Sequence, residues 1–315
     1  MIRMEIACDE SGAEGETLIG GNTNVFAHGS VRLSVEAAAD CIREARDRIR
    51  SPATEYKANH LLRAKHRKVL MWLLGPDGPI TGAAHAYLID KPYFLITRIV
   101  EVLIGEPALA PILYQEGRRA LPSARWQEFL RSCNNLLRAK SRPGTPFPVQ
   151  SFFATVEALA ADSTGRLGEI LGSMPAGWRG VAAYRDRSPD DPTGTVDPLI
   201  PGLIRTIEYW VAAGDPAAIV HDFQSALTPG RLARIRALTG AAEVTLADSS
   251  ADPRVQVADF LAGIARKITE DRLTGRGDDE LIALLRPYLD DRPIWVDQES
   301  WAALSPRPTR PAACP

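Results

Sequence analysis

Five acids and one lysine have the residue types and the placement for hydrolytic chemistry at a metal. Asp9 and Glu10 lie in Cys8-Asp9-Glu10-Ser11-Gly12, directly after the apolar run Met4-Glu5-Ile6-Ala7. An acid leaving an N-terminal strand suits a hard cation such as Mg²⁺, which takes oxygen ligands, and a strand holds a carboxylate more accurately than a loop does. Taken alone, the pentapeptide reads more readily as a solvated turn, because Asp, Ser and Gly are turn formers. Asp222 closes the apolar strand Ala218-Ile219-Val220-His221 and so repeats the placement of Asp9, with a strand-end turn as the competing reading. Asp259 stands in Val255-Gln256-Val257-Ala258-Asp259-Phe260-Leu261-Ala262-Gly263, among residues that belong in a core. An unpaired buried carboxylate is costly, so Asp259 needs a helix N-terminus, an arginine or a catalytic partner. Glu55 and Lys57 come in Thr54-Glu55-Tyr56-Lys57. In an extended lead-in, with Asn59 capping the next helix, both face one side: Glu55 toward a metal, Lys57 toward phosphate or attacking water. A solvated ion pair is the alternative.

The elements that would position these residues follow from periodicity and punctuation. Strands are expected over 2–8 and 24–33, joined as an antiparallel pair through Gly20-Gly21-Asn22, then over 81–90, 217–222 and 243–246. Helices are expected over 35–50, 61–74, 92–103, 107–120, 123–140, 148–161, 199–213, 229–238 and 254–269. Three strands, a long helical stretch, then strand-helix-strand-helix predict an α/β fold: a mixed sheet flanked by helices, with a large helical insertion. The expected parts are a core formed by 1–105 and 215–272, a helical insertion over 106–214, a helical or irregular extension over 273–304 and a disordered tail over 305–315.

Composition narrows the classes. A chain of 315 residues with 45% hydrophobic content can bury a large core, and a net charge of -2 excludes a polybasic, histone-like surface while allowing a local basic groove. The four cysteines lack Cys-x-x-Cys spacing and the five histidines lack a zinc pattern. There is no leader-like N-terminus and no run of about 18 apolar residues, so a soluble, cytoplasmic protein without a membrane partner is expected. Nucleophile-elbow, Walker and dinucleotide fingerprints do not occur.

Together, Asp9-Glu10-Ser11-Gly12, Glu55-Tyr56-Lys57, His221-Asp222 and Gln256-Val257-Ala258-Asp259-Phe260-Leu261-Ala262-Gly263 resemble, in order, the motifs of the bacterial family grouped under the domain of unknown function 3800. The resemblance covers 1–105 and 215–270. It implies a ribonuclease H-like fold, in which a five-stranded mixed sheet brings acids from separate strands and a late helix to one edge. It also implies Mg²⁺ or Mn²⁺, with Asp9 bridging the metals, Glu55, Asp222 and Asp259 completing their ligand sets, and Glu10 or Lys57 acting from behind them. Divalent cations would offset the repulsion among the acids, activate a water and stabilise the leaving oxygen of a phosphodiester. The expected function is a nuclease or phosphodiesterase on DNA or RNA, in defence against foreign nucleic acid. The alternative is a non-catalytic protein of the same fold that docks a protein partner through the helical insertion.

Two basic groups could meet a phosphate backbone: Arg63, Lys65, His66, Arg67 and Lys68 after Glu55, and Arg118, Arg119 and 138–142 in the insertion. Trp126 and Phe129, at helical spacing, read as core.

Overall fold

The computed structural model describes residues 4–50, 57–138, 148–212, 217–241, 243–249 and 251–306. Its elements run β1 (Met4–Ser11), β2 (Val25–Val31), α1 (Val35–Ile49), α2 (Ala58–Leu61), α3 (Arg67–Leu74), β3 (Ala84–Asp90) and α4 (Lys91–Leu103). A helical stretch follows: α5 (Leu109–Ala120), α6 (Ser123–Leu137), α7 (Pro148–Ala161), α8 (Gly165–Ser173), α9 (Trp178–Arg185) and α10 (Leu199–Ala212). The chain then forms β4 (Ala217–Asp222), α11 (Pro229–Thr239), β5 (Glu243–Ala247), α12 (Pro253–Leu273), α13 (Asp279–Leu285) and α14 (Gln298–Leu304).

The strands make one five-stranded sheet in the order β3-β2-β1-β4-β5. β1 is antiparallel to β2 and β2 to β3, whereas β4 runs parallel to both β1 and β5. The period-2 alternation of strand side chains divides the core between the two faces. Ile6, Cys8, Phe26 and Ile219 face one cluster, and Ala7, Ala27 and Val220 face the other. The second face is covered by α12, α1 and α3. The first is continuous with the helical stretch, because Leu113, Phe129, Phe152 and Leu171 join the same apolar cluster as Ile6 and Phe26. α10, last of that stretch, lies directly on the sheet: a Cβ on Gly202 would stand 2.9 Å from the Phe26 ring. Trp126 and Phe129 are core residues, as their spacing predicts.

Side-chain caps start the helices that matter most. Asp90 Oδ1 accepts the Tyr93 N–H at 3.2 Å to open α4, and Asp252 Oδ1 accepts the Arg254 N–H at 2.9 Å to open α12.

Three local expectations need correction. The helix expected over 61–74 is broken into α2, a 3₁₀ turn at Ala64–His66 and α3. α2 is pinned on α12, where a Cβ on Gly263 would stand 2.2 Å from the Ala58 Cβ, while α3 is tied to α13 by Arg67 bonding Asp278 and Glu280. The chain turns between these anchors at Arg63, whose backbone is extended. Asn59 lies inside α2; the N-cap position belongs to Lys57, whose N–H donates to His60 Nδ1 at 3.3 Å. Finally, α8 and α9 form where no helix was expected. Glycines at 165, 168 and 172 lower local propensity, but burial of Leu167, Ile170, Leu171, Val181 and Tyr184 outweighs it.

The C-terminal segment covers the β3 edge. The Asp290 N–H donates to the Ala86 carbonyl at 2.9 Å, and Asp90 and Leu88 exchange backbone bonds with Ile294. An open edge is thereby removed from solvent. Under this strap, buried Asp290 receives bonds from His85 Nε2 at 2.9 Å and from Arg205 at 2.9 and 3.0 Å. The tail beyond residue 306 and positions 139–142 of the second basic group lie outside the described residues.

Candidate active site

Asp9 and Glu10 lie inside β1, not beyond it, but at the point where its pairing with β4 stops. Cys8 and His221 are the last register partners of that pair, so Asp9 and Asp222 follow side by side at the strand ends. By alternation Asp9 shares the face of Ala7, and Asp222 that of Val220, which is the α12 face. Across the sheet Asp9 is in register with Gly29, where a Cβ would stand 2.7 Å from the Ala258 carbonyl oxygen and 2.8 Å from the Ala262 nitrogen. The missing side chain at Gly29 lets α12 sit against the sheet and sets the height of Asp259 beside Asp9. Asp259 is in mid-helix, so it does not cap α12. Its Oδ2 accepts the Ala58 N–H at 3.1 Å, tying α2 to the site.

The acids oppose one another. Burial pushes the Asp9 carboxyl well above the usual carboxylate range, and the charges of Glu10, Asp259 and Asp222 push it further. Glu10 is likewise raised, first by burial and then by Asp197 and Asp222. Asp9 Oδ1 accepts the Glu10 N–H at 2.7 Å, and Asp222 Oδ1 accepts the Ser249 N–H at 3.1 Å. Among the described residues no lysine or arginine pairs with Asp9 or Asp222. Cys8, next in sequence, is pushed up by burial and by both acids, so its thiol is not a nucleophile.

Behind Glu10, on the opposite face, stands a wired histidine pair that sequence reading did not single out. His221 Nδ1 is 2.8 Å from the Asp222 carbonyl, which can only accept, so this nitrogen carries the proton. Burial pushes both His221 and His28 toward the neutral form, leaving His221 Nε2 as a lone pair. That lone pair accepts the His28 Nε2–H at 3.1 Å, and His28 Nδ1 accepts the Thr206 hydroxyl at 2.8 Å. Glu10 Oε2 lies 3.6 Å from this same His221 Nε2 and, buried, has no hydrogen-bond partner among the described residues. The side-chain nitrogen facing Glu10 is thus an acceptor, not a donor. Sequence offered one usable signal for the second acid on this side: Asp197-Pro198 before an apolar run marks an N-cap, and Asp197 Oδ1 accepts the Leu199 N–H at 3.0 Å.

A polar cleft of about 310 Å³ opens beside Asp259, lined by Lys57, Asn59, Ser11 and Arg266 among others. Lys57 is exposed there with an extended backbone. Arg266 Nε donates to Ser11 Oγ at 2.9 Å and its Nη1 to Glu270 at 3.0 Å. Gly12 makes the turn out of β1 with φ +85°, and a Cβ there would stand 2.4 Å from the Val25 carbonyl oxygen. Buried Lys91 fastens the turn by donating to the Gly12 carbonyl at 3.2 Å and to Glu14 at 3.0 Å. Ser11 and Gly12 therefore shape the loop after Asp9.

Glu55 lies outside the described residues. Among those described, no three His, Cys, Asp or Glu side chains converge into a group that could hold a metal ion. The donors nevertheless suit a hard cation: they are all-oxygen and mutually repelling, and the neighbouring Glu10 has a buried oxygen with no hydrogen-bond partner among the described residues. Of the basic group after Glu55, Arg67 is taken up by Asp278 and Glu280, while Arg63, Lys65 and Lys68 are exposed. No described helix is long and apolar enough to cross a membrane. Compared with protein-family models, curated proteins and solved structures, the chain matches none.

Proposed function

We propose that the protein is a Mg²⁺- or Mn²⁺-dependent nuclease or phosphodiesterase of ribonuclease H-like fold. The observation that carries this reading is that Asp9 and Glu10 are buried at the end of the β1/β4 pairing, raised by burial and by neighbouring acids that include Asp222 and Asp259, with no lysine or arginine paired to Asp9 or Asp222 among the described residues. Three antiparallel strands followed by two parallel ones, in the order β3-β2-β1-β4-β5, support the fold assignment. Asp9, Asp222 and Asp259, with Glu55, would hold the metal. When bound, it supplies the charge that lets these carboxylates ionise together and acidifies a water for attack on phosphorus. Lys57 and Arg266, beside Asp259, bind the phosphate and orient it toward Asp9. Glu10, whose carboxyl is raised by burial beside the His221 lone pair, would ionise behind Asp9 only once a cation stands in front of it.

The test is incubation of purified protein with single- and double-stranded DNA and RNA in Mg²⁺, Mn²⁺ or EDTA. Cleavage by the wild type that is abolished in Asp9→Asn and Asp259→Asn, with folding intact, is the expected result. Cleavage unchanged in both variants removes this site. The spread of the described acids favours one second reading, a non-catalytic binding protein of the same fold. It predicts nucleic-acid or protein binding without metal-dependent cleavage.

A further inference from the structure

A second cleft, larger than the one beside Asp259, lies away from the carboxylates. It encloses about 590 Å³ between the C-terminal end of α1 and the start of α3, and its lining includes Arg48, Arg50, Lys65, His66 and Lys68 against a single acid, Asp47. Arg48 is engaged, bonded to Glu44 at 2.7 Å and stacked over Trp72 at 4.7 Å. Arg50, Lys65 and Lys68 have no ion-pair partner among the described residues. In a chain of net charge -2 this is a concentrated positive field. The buried ring of His66 reports that field: burial first, then Lys65 and Arg63, push it toward the neutral form.

Arg50 adds an independent observation. It ends α1 in the left-handed region, φ 50° and ψ 44°, and is the only non-glycine residue described with positive φ. Glycine occupies this position without strain, so an arginine there trades backbone comfort for a guanidinium at the cleft. The segment 57–68 also links two sites. Lys57 and Asn59 line the cleft at Asp259, exposed Arg63 follows, and Lys65 and Lys68 line the second cleft.

We infer that the α1/α3 cleft is a phosphate-backbone site for the same nucleic acid strand that reaches the carboxylates, with residues 57–68 as the track between them. This rests on the nuclease reading for the identity of the polyanion. The strand is held at the cleft by point charges on Arg50, Lys65 and Lys68, a mode that is indifferent to base sequence and sensitive to salt.

The experiment uses the full chain carrying Asp9→Asn, in EDTA, with fluorescein-labelled 20-nucleotide single- and double-stranded DNA and RNA. Anisotropy is read between 50 and 200 mM KCl. Adding Lys65→Ala and Lys68→Ala should cost about fivefold in affinity per lost contact near 0.1 M salt, and flatten the salt slope by about 0.7–0.9 for each. Arg50→Gly should weaken binding by about fivefold while leaving the melting temperature equal or higher, which a purely structural Arg50 would not do. Affinity and slope unchanged in all three variants overturn the inference, as does binding to phosphatidylglycerol vesicles with none to the oligonucleotides. Cleft-dependent binding without cleavage by the wild-type protein would remove the nuclease reading and leave the cleft standing. Cleavage with cleft-independent binding does the reverse.

Discussion

Two buried acids in this molecule live in opposite surroundings. Asp290, under the C-terminal strap, takes bonds from His85, from Arg205 and from the Arg292 N–H at 2.8 Å. Burial alone would raise its carboxyl, yet those donors outweigh it and hold it at about 2. Asp9, at the end of the β1/β4 pairing, has burial and three like charges pushing the other way. The first arrangement is complete without any outside group and serves to lock the strap to β3 and α10. The second lacks any such donor set among the described residues, and on the proposed reading a bound cation would supply the missing positive charge.

The contrast can be broken from either side. The largest effect should come from Asp290→Ala, which leaves Arg205 and His85 facing an empty site. A loss of about 3–5 kcal/mol in urea unfolding is expected, and a loss under about 1 kcal/mol would show that the clasp contributes little. Acid should act through the same residue. Its folded pKa lies below the ordinary aspartate value of 3.8, so its contribution is full above about pH 4 and disappears as pH falls through about 2. That contribution is about 2 kcal/mol and should be missing from the wild-type minus Asp290→Asn difference at pH 2.

On the other side, Gly29→Ala should lift α12 from the sheet at Ala258 and Ala262, at about 1–3 kcal/mol of stability by overpacking. Because the same shift moves Asp259, cleavage should fall by more than the lost stability explains. Equal activity at full stability would show that Gly29 does not set the site. The smallest effect is a gain. Asp9→Asn removes a carboxylate whose folded pKa is raised, so in EDTA at pH 8 it should stabilise by about 1–2 kcal/mol, whereas destabilisation would mean that Asp9 is satisfied.

Much of this was legible in the chain itself. Each of the five strands forms within a few residues of its expected place, because alternation and Gly or Asp punctuation mark them, and β4 spans 217–222 as read. Asp9, Asp222 and Asp259 occur where sequence patterns put acids at strand ends and inside an apolar helix. What sequence could not carry is the pairing of distant segments. The break at Arg63 depends on Gly263 meeting Ala58 and on Arg67 reaching Asp278, contacts across roughly two hundred residues. The His28–His221 pair depends on β2 and β4 flanking β1, so that two isolated histidines meet behind Glu10. Glycines hid α8 and α9, whose helicity comes from burial in the lobe.

The central proposal is that Asp9 and Asp222, which have no lysine or arginine partner among the described residues, hold a divalent cation together with Asp259. Calorimetric titration of metal-free protein with Mn²⁺ tests it most directly. Saturable binding to the wild type that is lost in Asp9→Asn/Asp259→Asn is the expected result. No binding to the wild type, or the same binding in both proteins, would contradict it.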